Sequence, residues 1–271
     1  TEAFDLTRED IAALRGAHML ASQDPERPIL QTVCIEPDGT LVSTDIHRMY
    51  VYRGSSMRPR SRVLVSRSLL EWLAFTPRVE SGQLSLSETE ATLRAVAPGT
   101  TPPDYTHRAP LVTKDQYPNY ERIFPADARI TARMAIRDLL PALEEVARFE
   151  GFVSTSAMPD AGHKGHRVTL TFSPSTNTLA LQAGAVRPEP ALTHWSVQVE
   201  LPVELSGLEA GEEFRIAINR SYLRECVLAL DVPPSERLEL RFTEPLRPVK
   251  IQPESTADRF TVVMPMNLEP S

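Results

Sequence analysis

The chain repeats itself, and that repeat limits its fold more than any single residue does. Residues 7–21 (TREDIAALRGAHMLA) open with a threonine suited to capping and place Ile11, Leu14 and Ala17 or His18 at helical spacing. The alternating runs ILQTVCIE and TLVSTD follow, turned by Asp38-Gly39, and the strand SRVLVS then enters a second helix, RSLLEWLAF. GQLSLSE, ATLRAVAP and the segment YPNYERIFP complete this half. About 130 residues further on the order returns. ARITARMA leads into the helix DLLPALEEVARFE, and the pair HRVTLTFSP and NTLALQAG comes next. EFRIAI enters the helix NRSYLRECVLAL, followed by RLELRFTE, RPVKIQP and FTVVMPMNL. The pattern predicts a duplicated α+β unit with two helices. Pro141 fits a helix capped by Asp138, since its missing N–H then falls in the first turn. Residues 97–110, APGTTPPDYTHRAP, read as a loop from their proline and glycine content. A boundary near residue 127 gives domains 1–127 and 128–271, each of ordinary size.

Composition narrows the function classes. With 41% hydrophobic and 24% charged residues, the chain can bury a core and is not of the disordered class. No run of about 18 apolar residues is present, so a membrane-spanning helix is not expected. The sequence starts without methionine and without a basic-then-apolar leader. Cys34 and Cys226 sit in apolar strand-like and helix-like contexts with no CxxC partner, which fits reduced, buried thiols and a cytoplasmic protein. A net charge of −7 argues against bulk attraction to nucleic acid but leaves the distribution of charge over separate faces open.

Residues 43–53, STDIHRMYVYR, pose the sharpest local question. Four polar side chains, Thr44, Asp45, His47 and Arg48, interrupt an apolar hairpin strand. Taken alone, Asp45 and Arg48 read as a turn cap and VVMPM as a terminal core strand. Four segments together resemble the bacterial DNA polymerase III beta subunit family, the sliding clamps. STDIHRM is similar to that family's ATDGHRL hairpin, YPNYERIFP to its FPDYRRVIP link, INRSYLRECVLAL to its FNVSYLLDVLNAL helix, and FTVVMPMNL to its YVVMPMRL terminus. The order and spacing match over nearly the whole chain. The resemblance covers the middle and last of the family's three domains; the first is unmatched. Ile46 stands where the hairpin motif has glycine, Glu121 where a basic residue is usual, and Asn267 where the terminal motif has arginine.

The resemblance implies two tandem clamp domains of α+β class, each with two helices on one face of antiparallel sheets. It also implies an interdomain hydrophobic cleft for short client peptides. In this sequence the cleft residues are Leu30, Thr44, His47, Arg48 and Met49 from the first half and Pro118, Arg122 and Ile123 from the link. Asn219, Tyr222, Leu246, Pro248, Val262, Met264, Pro265 and Met266 come from the second half. Methionine, proline and aliphatic side chains suit an adaptable apolar groove. Arg48, Arg122 and Asn219 would fix orientation. His47 is equally consistent with a hydrogen-bonded structural histidine.

The implied activity is that of a non-catalytic replication and repair factor whose partners are polymerase subunits and repair proteins. Double-stranded DNA is the second implied partner, held without sequence specificity by Arg8, Arg15, Arg67, Arg137, Arg148, Arg220 and Arg224. Glu144, seven residues after Arg137 on the same face, opposes the positive potential there. The alternatives are a clamp-derived adaptor that forms no ring, and an enzyme. His163 and His166 (HKGH) have a possible metal-ligand spacing, but in a Gly-rich loop with no third ligand nearby they read as solvated, and no cofactor or metal is expected. No phosphate loop, nucleophile elbow or paired-carboxylate motif appears. A chain of two such domains would close a ring only as three copies; a monomer or simple dimer is the preferred reading. Cytoplasmic location follows, at the nucleoid if DNA is bound.

Overall fold

The computed structural model describes residues 1–76, 79, 81–97, 99, 104–112, 117–125, 128–157, 166–187 and 193–268. The chain divides into two compact units, the first made of Thr1–Arg122 with Leu228–Asp231 and Thr256–Thr261, the second of the remainder. Residues 126 and 127, where the sequence suggests a boundary, lie outside the described residues.

The first unit runs β1 (Glu2–Leu6), α1 (Arg8–Leu20), β2 (Thr32–Ile35), β3 (Leu41–Thr44), β4 (Arg48–Tyr52) and β5 (Val63–Ser66). It continues with α2 (Arg67–Phe75), β6 (Ser81–Leu86), β7 (Glu90–Val96) and β8 (Asp104–Pro110). Its strands are ordered β1-β6-β7-β8 and β4-β3-β2-β5, all pairs antiparallel. The second unit runs β9 (Ile130–Ala135), α3 (Ile136–Ala157), β10 (Arg167–Ser173), β11 (Thr178–Arg187), β12 (Thr193–Pro202) and β13 (Glu204–Ser206). Then come β14 (Phe214–Asn219), α4 (Arg220–Ala229), β15 (Arg237–Phe242), β16 (Val249–Pro253), β17 (Arg259–Val263) and β18 (Pro265–Met266), of which Leu228 and Ala229 at the end of α4 and the first three residues of β17 belong to the first unit. Its β12-β11-β10-β14 order repeats β4-β3-β2-β5, and β9-β15-β16 repeats β1-β6-β7. The duplication read from the sequence is therefore a duplication of sheet topology. The second unit adds β13 beside β9 and β18 beside β14.

Two expectations need correction. Residues 104–110 are strand β8, paired with β7 from Asp104↔Val96 to Pro110↔Glu90, and are not loop. A terminal strand of a sheet tolerates a proline at its end, and Tyr105, His107 and Ala109 carried the alternation that composition obscured. Helix α3 starts at Ile136, two residues before the expected Asp138 cap, so Pro141 lies inside it. The Ile136 and Arg137 N–H groups donate to the Glu236 and Pro234 carbonyls, which moves the start forward. Pro141 then forgoes one internal helix bond.

Helix α1 begins with a capping box: Thr7 Oγ1 accepts from the Asp10 N–H and Asp10 accepts from the Thr7 N–H, both at 3.0 Å. The same carboxylate, fully buried, accepts from the Ser55 and Ser56 hydroxyls at 2.8 and 2.6 Å and from the Ser56 N–H at 3.1 Å. Burial alone would raise its pKa, but the bonds from Ser56, Thr7 and Ser55 outweigh burial and hold it below the ordinary value. Ile11, Leu14, Ala17 and Leu20 form the buried stripe of α1. Arg259 also belongs to this unit. It is buried and donates to Glu9 Oε2 at 2.6 Å and the Leu230 carbonyl at 2.9 Å, with its guanidinium 5.0 Å above the Tyr52 ring. The second core centres on Phe172, Phe214 and Phe242, whose ring centroids lie 4.9–6.1 Å apart.

Gly16 sits where α1 passes Tyr50 and the Ala229 carbonyl. An added Cβ would lie 2.6 Å from Tyr50 Cε2 and closer still to that backbone oxygen. Alanine ordinarily gains about 1 kcal/mol over glycine in a helix. Here overpacking by up to about 3 kcal/mol outweighs it, so Gly16→Ala should lose about 2 kcal/mol of stability in denaturant titration. A neutral or stabilising result would show that the contact relaxes.

Candidate functional site

The hairpin singled out in the sequence is a turn fastened by its own polar side chains. Asp45 Oδ1 accepts from the His47 and Arg48 N–H groups, each at 3.0 Å, and Asp45 Oδ2 accepts from Arg48 Nε at 3.0 Å. Thr44 Oγ1 donates to the Arg48 carbonyl at 2.7 Å and accepts from the Ile46 N–H at 3.0 Å. The Asp45–Arg48 side chains are only 16% and 10% exposed, so this ion pair is shielded and Arg48 is committed to the turn. His47 and Ile46 are exposed, and Ile46 has φ 75°. Leu30, Thr44 and Met49 are buried and offer a ligand little surface.

The link residues are held from the same unit. Tyr117 and Tyr120 are buried, the Tyr117 hydroxyl donating to the Val42 carbonyl at 3.4 Å and the Tyr120 hydroxyl to Glu36 Oε1 at 3.2 Å. Pro118 is half-buried between them and Arg122 is exposed. A cavity of about 690 Å³ opens here, where Glu36, paired with Arg62 at 2.7 Å, faces Tyr117 and Tyr120. The sequence reading missed it, because nothing local marks a link that folds back on the β2–β3 turn.

In the second unit, Asn219 is buried and its Oδ1 accepts from the Tyr222 N–H at 3.1 Å, which makes it the N-cap of α4. Val262 is buried. β18 pairs with β14 through Ala217↔Met266 and Ile218↔Pro265, leaving Met264, Pro265 and Met266 half-exposed, as is Tyr222. Ile123 and Pro248 are half-buried, and Leu246 is 62% exposed. The surface-available part of the expected set is thus His47, Pro118, Arg122, Ile123, Tyr222, Leu246, Pro248, Met264, Pro265 and Met266.

The expected DNA contacts are mostly engaged elsewhere. Arg15 donates through Nε to the Leu73 carbonyl at 2.9 Å and through Nη2 to the Thr76 carbonyl, closing the end of α2. Arg67 Nε donates to the His18 carbonyl at 3.3 Å. Arg220 is buried with Nη2 3.3 Å from His166 Nδ1. Arg224 pairs with Glu144 at 3.5 Å and Arg148 with Glu145 at 3.0 Å. Arg8 and Arg137 are exposed, with no side-chain partner among the described residues. His163 lies outside the described residues, among which no group of three His, Cys, Asp or Glu side chains could hold a metal ion. Cys34 and Cys226 are buried and form no disulfide. No helix among the described residues is long and apolar enough to cross a membrane.

A profile of the C-terminal domain of the DNA polymerase III beta subunit matches residues 121–267, more than half of the sequence. The chain belongs to the DNA polymerase III beta subunit family. The beta sliding clamp of Treponema pallidum is 24% identical over 159 residues, covering 59% of this chain and 37% of that protein. Among solved structures, the DNA polymerase III subunit beta of Borrelia burgdorferi in complex with a natural product superposes with a TM-score of 0.75 at 18% identity. That match covers 99% of this chain and 65% of the other. The sliding clamp of Pseudomonas aeruginosa bound to griselimycin gives 0.73 at 21%, covering 99% and 66%. The fold is the sliding-clamp fold, and the chain spans about two thirds of the length of these clamps.

Two outcomes follow from these side chains. Asp45→Ala removes three hydrogen bonds and with them the shielded Asp45–Arg48 ion pair, so it should cost about 2–3 kcal/mol in denaturant titration, while Asp45→Asn recovers part of that. His18 is buried with Nε2 unpartnered among the described residues, and burial together with the Arg67 charge lowers its pKa to about 4. The unfolded chain binds its proton near pH 6.5, so stability is present above that pH and is lost as pH falls toward 4. At pH 4.5 the loss should be about 2.5 kcal/mol. His18→Leu should flatten this part of the stability profile, and an unchanged profile would refute the assignment.

Proposed function

We propose that this clamp-family chain is a non-catalytic docking protein that holds apolar client peptides through the side chains each unit leaves available. The observation that carries the reading is the half-exposed Met264-Pro265-Met266 run, held by the pairing of Pro265 and Met266 with β14. Flexible thioethers on a backbone pinned by a strand pair can fit several client side chains without first being ordered. His47, Pro118 and Arg122 of the first unit are proposed to serve the same peptide. The partners proposed are polymerase subunits and repair factors, acting in the cytoplasm. The griselimycin and natural-product complexes of its relatives agree with a family that accepts compact ligands.

A second reading, an adaptor that docks clients without encircling DNA, is favoured by one observation. Five of the seven arginines expected to meet phosphates are bonded within the protein, and Glu144 and Glu145 neutralise two of them. Ring closure by three copies is the arrangement that would restore a DNA-facing role.

Calorimetry with peptides of Gln-Leu-x-Leu-Phe character, the type implied by the resemblance, should give micromolar affinity, roughly −8 kcal/mol. Met264→Asp should abolish binding without unfolding the chain; no binding by the unaltered chain to several such peptides would remove the docking reading. If only Arg8 and Arg137 meet phosphates, log affinity for duplex DNA should fall with log salt at a slope no steeper than about −2 per chain. A much steeper slope, with a species near three chain masses in sedimentation, would establish the ring and reject the adaptor.

A further inference from the structure

We infer that the outward face of α2 binds an arginine side chain presented by a partner protein. The helix buries Leu69, Leu70 and Leu73, and helical spacing puts Ser68, Glu71, Trp72 and Phe75 together on the opposite side. Phe75 is 77% exposed there, where an amphipathic helix ordinarily carries a polar residue. The Trp72 indole stacks on the Tyr105 ring with centroids 4.3 Å apart and planes 2° from parallel, and Tyr105 stacks in turn on His107 at 5.9 Å. β8 therefore backs the indole and fixes its plane. Trp72 stays half-exposed even so.

Charge decides what this aromatic face takes. Glu71 is the charged member of the stripe, and it forms no side-chain ion pair or hydrogen bond among the described residues. Arg67, one turn earlier, donates instead to the His18 carbonyl at 3.3 Å. Burial and then the Glu71 charge raise the Tyr105 pKa above its ordinary value, so the carboxylate acts on the ring stack as well. Aromatic rings beside an unpaired carboxylate attract a cation. The first unit shows which cation suits such a pair. The Arg259 guanidinium lies 5.0 Å above the Tyr52 ring and bonds to Glu9 Oε2 at 2.6 Å. A planar guanidinium can lie flat on a ring while its edge donates to a carboxylate, which a compact ammonium cannot match. Trp72, Phe75 and Glu71 repeat that combination on the surface, with the guanidinium to come from outside. The same carboxylate repels phosphate and so disfavours a nucleic-acid backbone as the occupant.

The test titrates the isotope-labelled full chain with acetyl-Gly-Arg-Gly-amide and follows its amide and indole N–H signals by NMR. The Trp72 indole and the amides of residues 68–76 and 104–108 should shift saturably. The same peptide with citrulline, which keeps the shape and loses the charge, should bind about tenfold more weakly, and the lysine peptide about threefold more weakly. Glu71→Gln should weaken arginine binding about tenfold and Phe75→Ser about threefold. Both side chains are exposed, so the variants keep the fold, which unchanged signals elsewhere in the spectrum verify. Equal affinity for the arginine and citrulline peptides, or for the unaltered and Glu71→Gln chains, overturns the inference. So does self-association in sedimentation that Glu71→Gln abolishes, because the occupant would then be a second copy of this chain.

Discussion

The buried carboxylate of Asp10 sets the geometry of the first unit. Taking it out of water is costly, and the bonds from Thr7, Ser55 and Ser56 offset that cost only if α1 starts at one residue and in one rotation. Much else follows from that phase. Gly16 meets Tyr50 and the Ala229 carbonyl, where a side chain would not fit. Arg15 turns to the last carbonyls of α2, and His18 is drawn inside. The rotation that satisfies one anion therefore decides which cations of this helix face water. Arg8 does, and Arg15 is spent on the end of a neighbouring helix.

Most of the fold was legible because its signals are local. The Thr7 cap, the turn at Asp38-Gly39, where Gly39 has φ 86°, and the strand-to-helix passages at Ser66 and Asn219 all lie within a few residues of the structure they specify. The repeat of the whole pattern supplied the topology. What was misread depended on distant partners or on composition. The start of α3 is set by carbonyls about a hundred residues later, at Pro234 and Glu236, which no window around Asp138 contains. β8 was hidden by Pro110 and by the prolines that precede it in the sequence. β12 passed unremarked although Val197, Val199 and Leu201 alternate with exposed Ser196, Gln198 and Glu200.

The candidate site was less legible for a related reason. Motif resemblance supplies positions but not exposure. Leu30, Met49 and Val262 are apolar and in the expected places, yet buried. Asn219 serves a helix end, and Arg48 serves Asp45. Periodicity cannot show that a surface arginine bends toward a carbonyl fifty or more residues away, as Arg15 does toward Leu73. The backbone sign at Ile46 is equally invisible in a string of letters, although the two-residue loop is not. Register locates the turn, and the turn type then makes the isoleucine conspicuous.

The Arg259–Glu9 bond joins residues 250 positions apart within one compact unit. A ribosome synthesises Glu9 long before Arg259, and all of residues 123–227 and 232–255 must emerge in between. During that interval Glu9, the Leu230 carbonyl's place and the Tyr52 ring wait without the guanidinium that unites them. The first unit is therefore complete only once residues 228–231 and 256–261 have followed residues 1–122 out of the ribosome.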